Sequence, residues 1–590
     1  MGNKQSELKK EGYTVVSEDP QMMKVKDKNG DQFVIKALKA DQDKVSDFLL
    51  QLNYPHIVHH KQVIRDGDRL YLVLEHCEGG DLAQKIKLKT ETMDGFSEAE
   101  IVDWTAKMCM ALKYLHDQQI LHKNLQPKSV FFTACGAIRL GEFGAINEWS
   151  IDVEKAETKD LLYVPPEILS GKPYDEKSEV WSLGCIIYEM CMLKCGFRGK
   201  NTVETISKIL TSSYEDLPET FSEDLRELVK DTLQVDPANR PSVSEILTRP
   251  FMIKHLHKKS TKTIEELYKT LDVLEELAAG LEKVHYNTTV SSLTGGVIGL
   301  AGGITSVVGA ILAPFTFGAS LIVTGVGIGV SVAGGVTAGV SNVTKMVNQR
   351  SNRQNIKMII TELQEKITST NCCIQNIQIA VDKQETEFPE SNQSQSNVHS
   401  GEEDDESTMA SAGARLGRGL GGIPELVRLT QAATVGKVAA QTARAVRVAE
   451  VATGVISGLF VAVDIFFIAL DSKEIHKLRK DNASIEIQQE SENAANNTEF
   501  KSSQTQLEEP ELTNDKSEQS DTKKLTTPTK KEQELQSEIM KFVRKIRETK
   551  GELRTILDEL KDELEKVKPE IPNLDDGEPF LRSCSSSVFN

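Results

Sequence analysis

At 590 residues the chain is too long for one domain, and three or four folding units are expected. Charged residues make up 27% and the formal net charge is −18. That balance excludes general nucleic-acid binding, which requires a basic face. The nine cysteines are scattered and odd in number, which excludes a disulfide framework, and no Cys/His spacing suggests zinc. A reducing, cytosolic setting is expected for most of the chain.

The first residues, Met1-Gly2-Asn3-Lys4-Gln5-Ser6, fit the Met-Gly-x-x-x-Ser pattern for myristoylation at Gly2. Lys4, Lys9 and Lys10 would supply the electrostatic second signal that a single acyl chain needs. No apolar run occurs in the first thirty residues, so no secretory signal peptide is expected and the chain reads as cytoplasmic and membrane-associated. Residues 1–9 are set apart on these grounds from a globular unit over 10–258. Within it Phe33-Val34-Ile35 and Leu70-Tyr71-Leu72-Val73-Leu74 read as short strands. Ile101–His116 and Glu179–Met192 carry apolar residues at helical spacing.

A second unit, 262–381, opens with an amphipathic helix over 262–285. From Tyr286 to Thr344 no side chain is charged. Pro314 breaks this run into two arms, about 290–313 and 321–340, each near the roughly 20 residues that span a bilayer as a helix. Their many Gly, Ala, Ser and Thr residues suit close helix packing in lipid and cost about 1 kcal/mol per glycine for a lone helix in water. Two readings stay open here, an inserting hairpin bent at Pro314 and a buried hairpin in a helical bundle. A polar helix is expected over about 350–381, and residues 382–408 read as an acidic disordered linker. A second apolar and basic segment covers 409–480. Its Arg415, Arg418, Arg428, Lys437, Arg444 and Arg447 suit a helix on an anionic membrane surface or a solvated basic face. Asp464 lies within the apolar run Leu459–Leu470. Its burial is expected to raise its pKa, so that the helix inserts more readily as pH falls; an Asp facing a polar groove of a bundle is the other reading. Residues 481–530 read as disordered, 531–567 as a charged helix with coiled-coil-like spacing, and 568–590 as a tail.

Specific strings carry a family resemblance. YLVLEHCEGGDL (71–82) resembles the hinge of NIMA-related (Nek) protein kinases, LHKNLQPKSVFF (121–132) their catalytic loop, and GEFG (141–144) the metal-binding DFG turn. YVPPEIL (163–169) resembles the APE segment, while 174–197 and 236–247 resemble the helices of the large lobe. The resemblance implies that Glu167 pairs with Arg240, that Trp181 and Gly184 sit on the central helix, and that Lys36 is the strand lysine that contacts nucleotide phosphates. Separately, SLAGGITSVVGAILAPFTFGASL and GVISGLFVAVDIFFIALDSKEIHKLRK resemble apolipoprotein L proteins over about 265–480. The fold class implied is multidomain: an α+β bilobal protein-kinase fold followed by an all-α, Gly-rich apolipoprotein L-like hairpin or bundle with disordered linkers.

Against the kinase resemblance, groups that move phosphate are altered. Residues 13–26, over the phosphates, contain no glycine, and Glu18 and Asp19 would repel them. The glutamate partner of Lys36 should fall near Val45, with Asp43 and Asp47 off register. The base position is Asn124, whose amide cannot accept the substrate proton, a loss of about 10²–10⁴-fold. The catalytic-loop lysine is replaced by Gln126, and the metal ligands by Ser129 and Glu142. Weak ATP binding through Lys36, Glu142 and the hinge at Glu75–Cys77 is expected, with Glu142 and Ser129 as the candidate Mg²⁺ ligands. The resemblance implies a membrane-associated pseudokinase scaffold with a protein partner and an apolipoprotein L-like module for lipid binding or transport. An active Ser/Thr kinase targeted to membranes and a pH-dependent ion-conducting protein are the alternatives.

Overall fold

The computed structural model describes residues 8–18, 22–28, 30–39, 49–66, 69–143, 157–293, 340–387, 450–470 and 530–567. Gly2, Asp43, Val45, Asp47, Pro314, the two Gly-rich arms, the basic segment over 409–449 and the tail therefore lie outside the described residues.

The N-terminal lobe is a five-stranded antiparallel sheet in the order β1-β2-β3-β5-β4. Its strands are β1 (Thr14–Glu18), β2 (Met22–Lys26), β3 (Gln32–Lys39), β4 (His60–Asp66) and β5 (Arg69–Glu75). Alternation on β3 sends Ile35 into a small core with Tyr13, Val25, Ile64, Tyr71 and Val73. The adjacent Lys36 faces the other way, in register with Leu72 of β5. β5 leads through the hinge into the larger, helical lobe. That lobe holds α1 (Leu82–Thr92), α2 (Glu98–Asp117), the hairpin β6 (Val130–Phe132) and β7 (Ile138–Leu140), α3 (Thr158–Leu161), α4 (Pro166–Leu169) and α5 (Glu176–Met192). It continues with α6 (Thr202–Leu210), α7 (Glu223–Thr232) and α8 (Val243–Leu247).

Helix starts follow local chemistry. Ser97 and Glu100 form a capping box at α2, and the Asp175 side chain caps α5 by accepting from the Ser178 N–H. α5 is buried on nearly every face, with Val180, Trp181, Leu183, Ile186 and Ile187 almost inaccessible. Gly184 permits this: a Cβ there would stand 2.5 Å from the Thr232 hydroxyl on α7.

The C-terminal half is helical. α9 (Pro250–Leu293) starts with proline at its first position, where the missing N–H costs nothing. Met252, Ile253 and Leu256 bury in the kinase lobe, and Ile264, Leu267, Leu271, Leu274, Leu277 and Leu281 continue the same stripe onward. The expected boundary at 258–262 thus falls inside one unbroken helix. α10 (Val340–Glu387), α11 (Glu450–Leu470) and α12 (Lys530–Lys566) complete a four-helix bundle with it. α10 is helical through Glu387, so residues 382–387 extend it instead of opening the expected disordered linker.

α9 and α12 run antiparallel, because Tyr268 bonds Asp558 at 2.5 Å while Arg547 bonds Glu275 and Glu282 at 3.1 and 2.6 Å. Phe466 of α11 stacks on Phe542 of α12 with centroids 4.5 Å apart. Among the described residues α11 is the one helix long and apolar enough to cross a membrane, by length and composition. Its inner face, including Ile456, Leu459, Val463 and Phe466, is buried in the bundle; Val451, Val461, Ile465 and Ile468 face outward. The core of the bundle is continuous with that of the kinase lobe.

Candidate functional site

The cleft between the lobes brings together most of the sequence-predicted site residues. Lys36 on β3 and Glu142 after β7 form an ion pair, Nζ to Oε2 at 2.8 Å, with both side chains about two-thirds buried. Glu142 holds φ of +56°, a left-handed conformation that fixes this turn. Its carbonyl accepts from Asn124 Nδ2 at 2.6 Å, and Asn124 Oδ1 accepts from Gln126 Nε2 at 2.7 Å. The three replaced positions therefore form one neutral hydrogen-bonded chain that ends at a closed ion pair.

Ser129 meets this chain only through the Gln126 backbone. It is fully buried, its hydroxyl donates to the Gln126 carbonyl at 2.8 Å, and it accepts from the Gln126 N–H at 3.1 Å. Of the two candidate magnesium ligands, one is committed to closing its own turn and the other is neutralised by Lys36. Among the described residues no group of three or more His, Cys, Asp or Glu side chains is gathered to hold a metal. ATP and magnesium serve the kinase class in general, and of the two candidate ligands here Glu142 offers the carboxylate.

The hinge is also re-used. The Glu75 carboxylate faces the back of the hinge, accepting from the His59 N–H at 3.0 Å and from Arg139 Nε at 3.2 Å. Any adenine contact is thus left to the backbone around Glu75–Cys77. Gly79 lets that backbone pass the β6–β7 hairpin, since a Cβ would lie 2.6 Å from the Thr133 carbonyl. Burial and the Glu75 charge push the Cys77 thiol well up, so it is not a reactive thiolate.

The architectural residues are assembled. Arg240 donates two bonds of 2.8 Å to the Glu167 carboxylate, both side chains being inaccessible. The guanidinium also lies over Trp181, 5.1 Å from the ring centroid. Sequence reasoning missed Glu179, which is fully buried and holds the catalytic loop: it accepts the Lys123 N–H at 2.8 Å and pairs with His116 at 2.6 Å. Its position two residues before Trp181 on the central helix was the available signal.

The C-terminal helices contribute to this region too. Arg139 on β7 is bridged by Glu365 of α10 at 3.0 Å, and Glu365 also accepts from the Thr133 hydroxyl at 2.9 Å. Ser369 on α10 lies 3.5 Å from Nε2 of the buried His56, whose pKa burial lowers to about 3. A hydrogen-bonded chain therefore runs from α10 through Arg139 to Glu75 at the hinge.

Of the two readings of Asp464, the one in which burial raises its pKa does not hold. Its carboxylate bonds Arg353 Nη2 at 2.7 Å and lies 3.0 Å from Lys357 Nζ on α10. Desolvation pushes its pKa upward, but the hydrogen bonds from Arg353 and Lys357 outweigh it, and the net direction is down. Asp464 is thus an interhelical ion-pair residue, not an acid held neutral by burial.

A five-stranded lobe hinged to a helical lobe, with a strand lysine in the cleft and a capped catalytic-type loop, defines a bilobal protein-kinase domain. Residues 21–252 match the protein kinase domain family, and residues 212–500 match the apolipoprotein L family. The chain therefore carries a Nek-type kinase domain joined to an apolipoprotein L region. It is 37% identical over 212 residues to the mouse serine/threonine-protein kinase Nek1, covering 36% of this chain and 18% of the relative. To human serine/threonine-protein kinase Nek5 it is 33% identical over 243 residues, covering 41% and 34% respectively. Mouse serine/threonine-protein kinase Nek3 is 37% identical over 220 residues, covering 36% of this chain and 43% of that protein. The chain thus spans less than half the length of these curated relatives.

Proposed function

We propose that this chain is a membrane-associated pseudokinase scaffold whose apolipoprotein L region binds lipid. The observation that carries the kinase half is the closed Lys36–Glu142 pair at 2.8 Å, continued by Asn124 and Gln126. Phosphoryl transfer needs a free cation on the phosphates, a carboxylate on the metal and a base on the hydroxyl. Here cation and carboxylate neutralise each other, and the base position is an amide. What persists is the architecture, Glu167–Arg240 and the Glu179 anchor, which keeps the lobe shaped as a protein-binding surface.

The lipid half is supported by the apolipoprotein L match over 212–500 and by the outward apolar stripe of α11. The membrane side is cytoplasmic in this reading, with Gly2 as a lipidation site. Incubating the purified full chain with labelled ATP and generic protein substrates tests the kinase half, with no transfer above background expected. Transfer that survives Asn124→Ala and is lost in Lys36→Ala would overturn the scaffold reading. Flotation with anionic vesicles tests the lipid half, and equal membrane fractions for Gly2→Ala and wild type would remove the lipid anchor.

A further inference from the structure

Where the kinase lobe meets the bundle, α1, α2, the β6–β7 hairpin, α9 and α10 line a cavity of about 610 Å³ whose lining includes neither Lys36 nor Glu142. One wall is apolar, built on Trp104 and Phe132, whose rings meet edge-on at 5.0 Å. Six lysines and five carboxylates line the remainder.

The charges do not cancel pairwise. Glu100 is held by its helix cap, accepting from Ser97 N and Oγ at 2.9 and 2.7 Å. Asp103 is matched by Lys107 at 2.8 Å, with Lys259 at 3.9 Å. Lys366 serves both Glu266 and Glu362, at 3.2 and 2.9 Å, and Glu365 is taken from outside the cavity by Arg139. Every carboxylate is occupied. Among the described residues, Lys85, Lys258 and Lys262 line the cavity with no carboxylate within ion-pair distance. Lys85 is half-buried, 4.5 Å over the Phe132 ring, and desolvation lowers its pKa with Glu100 offsetting only part. A cation half removed from water without a counter-ion is costly unless an anion joins it.

We propose that this interdomain cavity binds a phosphate monoester carried on a small, partly apolar body, its phosphate held by Lys85, Lys258 and Lys262 and its body against the partly exposed Trp104. A phosphate monoester brings a charge of about −1.5 to −2 and three strong acceptor oxygens, which suits three ammonium groups. The apolar wall selects against inorganic phosphate alone. The ligand would touch α1 and α2 of the kinase lobe and α9 and α10 of the bundle, so binding would fasten the two together.

The test uses the full chain and two probes that distinguish the sources of the group: hexanoyl lysophosphatidate free in water, and phosphatidylcholine vesicles containing phosphatidate. Titration calorimetry and a melting-temperature rise read the first, flotation the second. Lys258 and Lys262 are exposed, so Lys258→Gln/Lys262→Gln is expected to keep the wild-type melting curve without ligand. Binding of either probe that falls at least tenfold in this double variant, and again in Lys85→Gln, supports the site and identifies its source. Inorganic phosphate should compete only at a concentration at least tenfold higher. Failure of both probes to bind, or binding unchanged in both variants, overturns the proposal.

Discussion

Glu142 is the carboxylate that Lys36 meets in the cleft. Its carboxylate reaches Lys36 at 2.8 Å, where the phosphates of a nucleotide would otherwise be met. An incoming triphosphate must displace a group of its own sign. Glu142→Gln should therefore raise the affinity for ATP in the absence of magnesium, by about tenfold if one charge-assisted contact of about 1.4 kcal/mol is released; fluorescent-nucleotide titration measures it. The same substitution should leave phosphotransfer at background. Restoring activity requires the altered positions together, because groups that act as a unit do not contribute additively. Asn124→Asp alone is thus expected to give no turnover above the wild-type level in a labelled-ATP assay.

Asp464 supplies a second prediction at this scale, and its sign is opposite to the one its apolar neighbours suggest. Its pKa is lowered in the folded state by Arg353 and Lys357. Its contribution is therefore present above the ordinary carboxylate value and is lost as pH falls through the depressed one. Mild acidification should leave α10 and α11 paired. Asp464→Asn should destabilise the bundle by about 1 kcal/mol or less at neutral pH, since a third of the side chain is exposed and the pair is screened. Urea denaturation at neutral and mildly acidic pH measures both. The sequence around 464 reads as uniformly apolar because its partners lie more than a hundred residues away on another helix. Lys36, Glu167 and Arg240, by contrast, were legible from local motifs. The bond chain through Asn124 and Gln126 was not, because substituted residues reveal what is lost and not what they bond to instead.

At the scale of elements, α10 lies against the back of the hinge, where Glu365, Arg139 and Glu75 are bonded in series. Burial raises the Glu365 pKa, and the Arg139 charge only partly opposes this. A raised carboxyl contributes stability that is fully present below its unfolded value and is lost as pH rises through its folded one. The contact of α10 should accordingly tighten on mild acidification. Arg139→Gln leaves a buried carboxylate without its cation and should cost about 3 kcal/mol near neutrality, and less at mildly acidic pH, because burial makes the Glu365 carboxyl take up a proton more readily. Glu365→Gln should flatten this pH dependence. Denaturation curves at the two pH values check the sign, and amide exchange over β6–β7 locates the effect. Apolar runs and turn residues made β3, β5, α2 and α5 legible within a few residues. The docking of α10 has no sequence signal, because Arg139 and Glu365 meet only through the tertiary fold.

At the scale of the molecule, kinase lobe and bundle share α9, although one unit was expected to end at 258 and the next to open at 262, on either side of the polar stretch Lys259–Thr263. The apolar spacing from Ile253 and Leu256 to Ile264 and Leu267 is uninterrupted, and one stripe buries first in the lobe and then against α12. Burial of that stripe outweighs the weak helix propensity of the polar stretch: each leucine contributes about 1.5–3 kcal/mol, against a few tenths per unfavourable residue. Damage within the bundle should therefore reach the kinase lobe. Leu557 on α12 is inaccessible, and Leu557→Ala should cost about 2–5 kcal/mol. All three tryptophans, Trp104, Trp149 and Trp181, belong to the kinase region, so their emission follows the lobe, while far-ultraviolet dichroism is dominated by the long helices. Coincident transitions by the two probes, both displaced to lower denaturant in Leu557→Ala, are the outcome expected of a shared core. A dichroism transition that moves while tryptophan emission stays in place would mean that α9 joins the two regions in sequence but not in stability.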